Sequence, residues 1–174
     1  GGVAVRADGL TSAQQLRLDR DEHTAGFRRL ADAIHAVDGR LVVQLTHAGR
    51  QTLASTLGTD PIAPSPIPCP VMRQPPRVIE EDEIPALVEA FAVAAGRAAA
   101  AGADGVELHM GHGYLLNSFL SPDSNRRTDA YGGDTARRCR FPGEVIAAVR
   151  RAVGPAGAVI ARFSADEKVE GGID

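Results

Sequence analysis

The 174 residues include no tryptophan, two tyrosines, two methionines and two cysteines. Cys69 and Cys139 are far apart and form no C-x-x-C pair, which excludes a zinc ribbon or a complete cysteine-ligated cluster within this stretch. So few thiols fit a reducing compartment, and we read the protein as cytoplasmic. Charge of one sign is also missing: 19 basic against 22 acidic side chains give a net charge of -3, which predicts no general attraction to nucleic acid or to an anionic membrane. The longest apolar run, around Ala90 to Gly96, falls far short of the roughly 20 residues of a bilayer span. The first residues lack the basic-then-apolar pattern of a signal peptide. The chain begins at Gly1 rather than methionine and stops at Gly171-Gly172-Ile173-Asp174, so we expect it to be a piece of a longer protein.

Several catalytic signatures are absent as well. Gly111 and Gly113 are followed by Leu116, where a dinucleotide fingerprint needs glycine, and no G-K-[ST] occurs. Ser118, Ser121 and Ser124 lack the G-x-S-x-G turn that presents a serine nucleophile. The arginine pairs Arg126-Arg127, Arg137-Arg138 and Arg150-Arg151 come without interleaved aromatics, and read as solvated or ion-paired faces rather than an RNA groove.

What is present is a core-forming composition, 44% hydrophobic, arranged as a repeated sentence. Phe27, Leu30, Ile34 and Val37 give one helical face between Asp21 and Val37, Asp38-Gly39 stops the helix, and Leu41–Leu45 reads as a buried parallel strand covered on both faces. The unit recurs: a helix over Glu81–Ala101, a stop at Gly102, a strand over Gly105–His109. It recurs again with Val145, Val149 and Val153, a stop at Gly154, and a strand over Ala158–Phe163. A fragment of an earlier strand lies at Val3–Val5. Helix, glycine and strand in series imply an α/β protein with a parallel sheet, since parallel neighbours need crossover helices. Between the first two units, Gln51–Val78 holds seven of the 11 prolines and reads as a long non-helical loop, either a spacer or a carrier of ligand contacts.

Polar side chains close each strand: Gln44, then Glu107 and His109, then Arg162. Ligands of α/β folds bind at these carboxyl ends. His109 and His112 lie beside Tyr114, which favours chemistry over a purely structural role. A metal site using His47 and Glu107 is the rival, although no zinc signature such as H-E-x-x-H is present. Gln44 and Arg162 are costly at buried strand ends unless something satisfies them. A flat, anionic, hydrogen-bonding ligand would do so, and so would an internal Arg162–Glu107 ion pair.

The blocks Gln44–Arg50, His109–Leu116, Phe119–Pro122, Ser124–Asp129 and Tyr131–Gly133 resemble, in order, the signature segments of the old yellow enzyme family of FMN-dependent ene-reductases and NADH:flavin oxidoreductases. The resemblance implies a TIM (β/α)8 barrel, of which three to four βα units are present, residues 1–174 being the central part of one FMN-binding domain. It further implies FMN as cofactor, NADH or NADPH as reductant, and a small unsaturated molecule as substrate. Gln44 and Arg162 would contact the flavin, His109 and His112 would bind the substrate's activating oxygen, and Tyr114 would donate the proton. No metal, nucleic acid or membrane is implied, and a homo-oligomer is compatible.

Residues 161–167 and 170–172 look most like the 2,4-dienoyl-CoA reductase branch, whose members carry an iron-sulfur cluster and an FAD domain beyond the barrel. Two departures stand out: Asp134-Thr135-Ala136-Arg137 replaces the usual Ser-x-Glu-Asn before arginine, and Pro142-Gly143 predicts a late start or a kink in the third helix. The alternatives are a non-catalytic barrel fragment that cannot retain FMN and a metal-dependent TIM-barrel hydrolase.

Overall fold

The computed structural model describes residues 1–174. In chain order the elements are β1 (Val3–Ala4), α1 (Thr24–His35), β2 (Val42–Thr46), α2 (Ala54–Leu57), β3 (Ile62–Ala63), β4 (Arg77–Val78), α3 (Ile84–Ala100), β5 (Gly105–Met110), α4 (Leu115–Leu120), α5 (Thr135–Arg138), α6 (Arg140–Val153) and β6 (Ala158–Phe163). Strands β1, β2, β5 and β6 form one all-parallel sheet in that order. The three repeated units are therefore real crossovers, and each carries the chain back to begin the next strand alongside the last.

The pleat sorts the side chains. Val43 and Leu45 of β2 align with Val106 and Leu108 of β5, and these join Phe91 of α3 and Phe141 of α6 in a buried core under the helices. Burial of each such side chain stabilises the fold by roughly 2 kcal/mol. On the opposite face Gln44 aligns with Glu107 and Ile160, and His109 with Arg162. That face is not covered: Val42 and Ile160 are 43% and 42% exposed. Within these 174 residues helices shield one face of the four-strand sheet and leave the other open, so the strands expected to be covered on both faces are covered on one.

The first helix needs a similar correction. Phe27 is buried, but Leu30 and Val37 are exposed and Ala31 takes their place in the core. The reason is α3, which packs close enough to α1 that Arg28 donates to the Ala100 carbonyl at 2.9 Å. At the amino ends of the strands Asp104 accepts from the Leu41 amide at 2.7 Å and from His35 at 2.9 Å, tying α1, β2 and β5 together.

The proline-rich segment is not wholly irregular. The prolines begin at 61, leaving 54–57 free to form the single turn α2, which ends at left-handed Gly58 (φ 75°). Beyond it β3 pairs in parallel with β4. Arg127 fastens this excursion: its side chain is 7% exposed, donates to the Pro64 and Ile79 carbonyls, and ion-pairs with Asp129. Burial alone would raise the Asp129 carboxyl, but Arg127 and the Tyr131 amide outweigh it and hold it below its usual range. One member of the arginine pairs is therefore a buried staple rather than a surface charge. Pro142 has the expected local effect: it offers no N–H to the Arg138 carbonyl, and the helix divides at Cys139 into α5 and α6.

Gly132 and Gly133 make a direct test of this packing. A Cβ on Gly132 would sit 2.2 Å from the Arg127 carbonyl oxygen, whereas Gly133 has open space around it and only a left-handed φ of 92°. Gly132→Ala should cost about 3 kcal/mol or more and Gly133→Ala about 1 kcal/mol in urea unfolding. Equal costs would show that the 127–132 turn is not tightly packed.

Candidate functional site

Parallel strands deliver all their carboxyl ends to one rim, and this chain's chemistry-bearing residues gather there. A cavity of about 270 Å3 is lined by Gln44 and Thr46 of β2, His109 of β5, Tyr114 just before α4, and Thr11, Ser12 and Gln15 from the segment after β1. Three of the five expected side chains, Gln44, His109 and Tyr114, therefore share one cavity. A larger groove of about 500 Å3 is lined by α1 and its approach, including Leu16, Phe27 and Leu30, and contains none of the five.

His109 is 6% exposed, and only Nδ1 of its two ring nitrogens is buried without a partner. Burial pushes its pKa below the ordinary 6.5, the proximity of His112 and Arg162 pushes the same way, and Glu107 opposes them. The ring is accordingly neutral at pH 7. Its neighbours are close: the Tyr114 ring centroid lies 4.8 Å away and the His112 centroid 5.2 Å away, both tilted. His112 itself is exposed and does not line the cavity.

Gln44 donates to Glu107 Oε1 across the β2–β5 register. The alternative of an internal Arg162–Glu107 ion pair is not formed, and Arg162 has no ion-pair partner. Arg162 is also exposed, not buried, because β6 is an edge strand whose inner side faces solvent. It shares a face and a register position with His109 but lies outside the cavity lining.

His47 is a structural residue rather than a ligand. Its side chain is fully buried, Nδ1 accepts from the Gly49 amide at 3.1 Å, and Nε2 lies 3.4 Å from Asp8. At that length the Asp8 contact is electrostatic rather than a full hydrogen bond. Burial would raise the Asp8 carboxyl, yet His47 and Arg6 overcome it and hold it far below its usual range. No three potential ligands gather as a metal site.

Sequence reasoning missed Thr46, whose hydroxyl is buried without a partner at the cavity wall. The period of two along β2 was its signal, since Thr46 follows Gln44 onto the inner face. Thr11, Ser12 and Gln15 had no signal, because the loop after β1 brings them in. Gln15 accepts from the Thr11 amide at 2.6 Å and donates to the Gly2 carbonyl at 2.8 Å, closing that side.

Sheet, register and rim cavity together define an α/β protein with a parallel sheet and a candidate ligand site at the strand carboxyl ends. Comparison with known proteins agrees. The family model described as NADH:flavin oxidoreductase / NADH oxidase matches residues 1–174. The chain is 48% identical over 165 residues to NADH oxidase of Thermoanaerobacter brockii, covering 94% of this chain and 25% of that protein. It is 42% identical over 165 residues to NADPH dehydrogenase of Bacillus cytotoxicus, covering 95% of this chain and 46% of the other. A solved 2-naphthoyl-CoA reductase in complex with 2-naphthoyl-CoA superposes with a TM-score of 0.94 at 31% identity, over 99% of this chain and 28% of that one. The chain belongs to the NADH:flavin oxidoreductase / NADH oxidase family, spans a quarter to a half of the length of these curated relatives, and forms part of a TIM barrel.

The lowered pKa of His109 has a measurable consequence. As pH falls through 6.5 the unfolded imidazole takes up a proton before the folded one, so stability is full above that value and declines below it. Urea midpoints measured between pH 7.5 and 5 should fall less in His109→Gln than in the wild type. Parallel lines for the two proteins would show that His109 protonates freely in the fold.

Proposed function

We propose that residues 1–174 are the central part of the FMN-binding barrel of an NAD(P)H:flavin oxidoreductase that reduces an activated C=C bond. The observation that carries this reading is the convergence of Gln44, His109 and Tyr114 on one rim cavity in a chain of this family. The residues fit a flavin. A planar ring edge needs donors and acceptors in a row, and the inner face offers the Gln44 amide beside two buried polar atoms without partners, Thr46 Oγ1 and His109 Nδ1.

When bound, the flavin supplies a hydride obtained from NADH or NADPH. Gln44 would hold its pyrimidine edge, exchanging the Glu107 contact for the ligand. Arg162, a permanent cation on the same face as His109, would offer positive charge to the flavin's anionic pyrimidine edge. His109 and His112 donate hydrogen bonds to the carbonyl or nitro oxygen that activates the substrate, stabilising the negative charge that develops there. Burial keeps His109 neutral, so it acts as a hydrogen-bond donor rather than as an acid. Tyr114 would deliver its phenolic proton to the substrate's α-carbon and recover a proton from solvent. A phenol is a weak acid at neutral pH, so it protonates only a strongly basic carbon.

Among activated alkenes, unsaturated acyl-CoA thioesters are the first class to test, because the solved reductase named above is in complex with 2-naphthoyl-CoA. The names of the relatives divide between NADH and NADPH and favour neither as reductant.

The test separates the two halves of the cycle in flavin-loaded protein. Tyr114→Phe should leave flavin reduction by NAD(P)H unchanged while slowing alkene reduction about 100-fold, the ordinary scale for loss of a positioned acid. Stopped-flow traces in which alkene reduction is unchanged would remove Tyr114 from this role. A full-length protein containing these residues that shows no flavin absorbance after reconstitution would overturn the reading as a whole.

A further inference from the structure

His112 has a backbone that most residues avoid. Its φ is 59°, in the left-handed region, where a residue other than glycine is uncommon and histidine, asparagine and aspartate are enriched. Asp38, Arg73 and Lys168 share the conformation, but the hydrogen bonds on their amides are local: Asp38 to the His35 carbonyl, Arg73 to the Cys69 carbonyl, Lys168 to Asp166. His112 is held differently. Its N–H donates to Ser164 Oγ at 2.9 Å, from the chain just after β6, and its carbonyl accepts from Gln51 Nε2, from the loop after β2. These partners lie 52 residues downstream and 61 residues upstream.

We propose that Gln51 and Ser164 are positioning residues that lock the His112 backbone and thereby set the spacing of the His109–His112 pair. The inference rests on the reading of that pair as the anchor for the substrate's activating oxygen. A backbone clamp matters because the His112 side chain is exposed, so burial does little to fix its ring against His109. Both hydrogen-bonding groups of the residue are satisfied by neighbouring βα units, which makes its orientation a property of the assembled rim rather than of its own loop. Each clamp residue is itself placed. Gln51 Oε1 lies 3.5 Å from the Cys69 sulfur, within reach of its S–H. Ser164 lies against Gly111, where a Cβ would come within 3.1 Å of the Ser164 amide nitrogen and hydroxyl. One residue beyond His112, Asn117 accepts from the Gly113 amide and donates to Glu167 at 3.1 Å, so the chain after β6 braces the loop at a second point. Strained conformations of this kind persist where the surroundings over-determine them.

The test needs no cofactor. With ring centroids 5.2 Å apart, the His109 and His112 imidazoles should show a nuclear Overhauser cross-peak in the 174-residue chain. Ser164→Ala should weaken that cross-peak, and the Gln51→Ala/Ser164→Ala double variant should abolish it while the amide signals of β2 and β5 stay in place. Ser164→Thr, which keeps the hydroxyl, should retain it. A cross-peak of full strength in the double variant, or in Ser164→Ala where the double variant does not fold, overturns the proposal. In flavin-loaded protein Ser164→Ala should raise the alkene KM roughly tenfold or more, with flavin reduction by NAD(P)H unchanged. An unchanged KM also overturns it, whereas failure of the flavin reading would appear separately, as wild-type protein that is not reduced at all.

Discussion

The structure depends on one constraint: neighbouring strands run parallel, so each must be reached by a crossover, and every strand ends on the same rim. Register does the rest. Gln44 beside Glu107, and His109 beside Arg162, put amide, carboxylate, imidazole and guanidinium on one face, while Leu45 and Leu108 go to the other. A shift of one residue in either strand would exchange those sets and bury the polar row under the helices. The core beneath α3 and α6 therefore both stabilises the sheet and selects which residues can meet a ligand.

The rim divides its labour between groups that face the cavity and groups that hold them. His47, Asn117, Arg127 and Ser164 carry polar chemistry, yet each is engaged within the protein: His47 with Gly49, Asn117 with Gly113 and Glu167, Arg127 with Asp129, Ser164 with His112. Thr46 Oγ1 and His109 Nδ1 have no such engagement. Unpartnered buried polar atoms also occur away from the cavity, at His23 Nδ1, His47 Nε2, Arg50 Nε and Thr52 Oγ1. What distinguishes Thr46 and His109 is that they both lack partners and line the cavity.

Much of this was legible in the sequence because it rests on local patterns. β6 occupies the residues its apolar run defined, β5 extends one residue further, and helix ends fall at Gly102 and Gly154. The rim position of Gln44, His109 and Tyr114 follows from strand ends alone. What could not be read depends on distant packing. Leu30 and Val37 fit the helical period but are exposed, since α3 covers the Ala31 side of α1. His47 has the composition of a ligand, and only the approach of Gly9, on which a Cβ would lie 2.7 Å from the ring, shows that it is packed in place. Gln51 and Ser164 lie 113 positions apart and meet only through the peptide of His112. The exposure of Arg162 was illegible for a related reason: strand composition shows apolarity but not which strand stands last in the sheet of these residues.

The central claim is that the inner face of β2 and β5, with Tyr114, forms the flavin-facing wall. The most direct measurement is a nuclear magnetic resonance titration of the 174-residue chain with millimolar FMN, following the Gln44 side-chain amide, the Thr46 amide and the ring signals of His109 and Tyr114. The account predicts that these shift together along one binding curve, while signals from Ala25 to Leu30 in the groove beside α1 stay fixed. Shifts confined to the α1 groove, or none at the inner face, would contradict it.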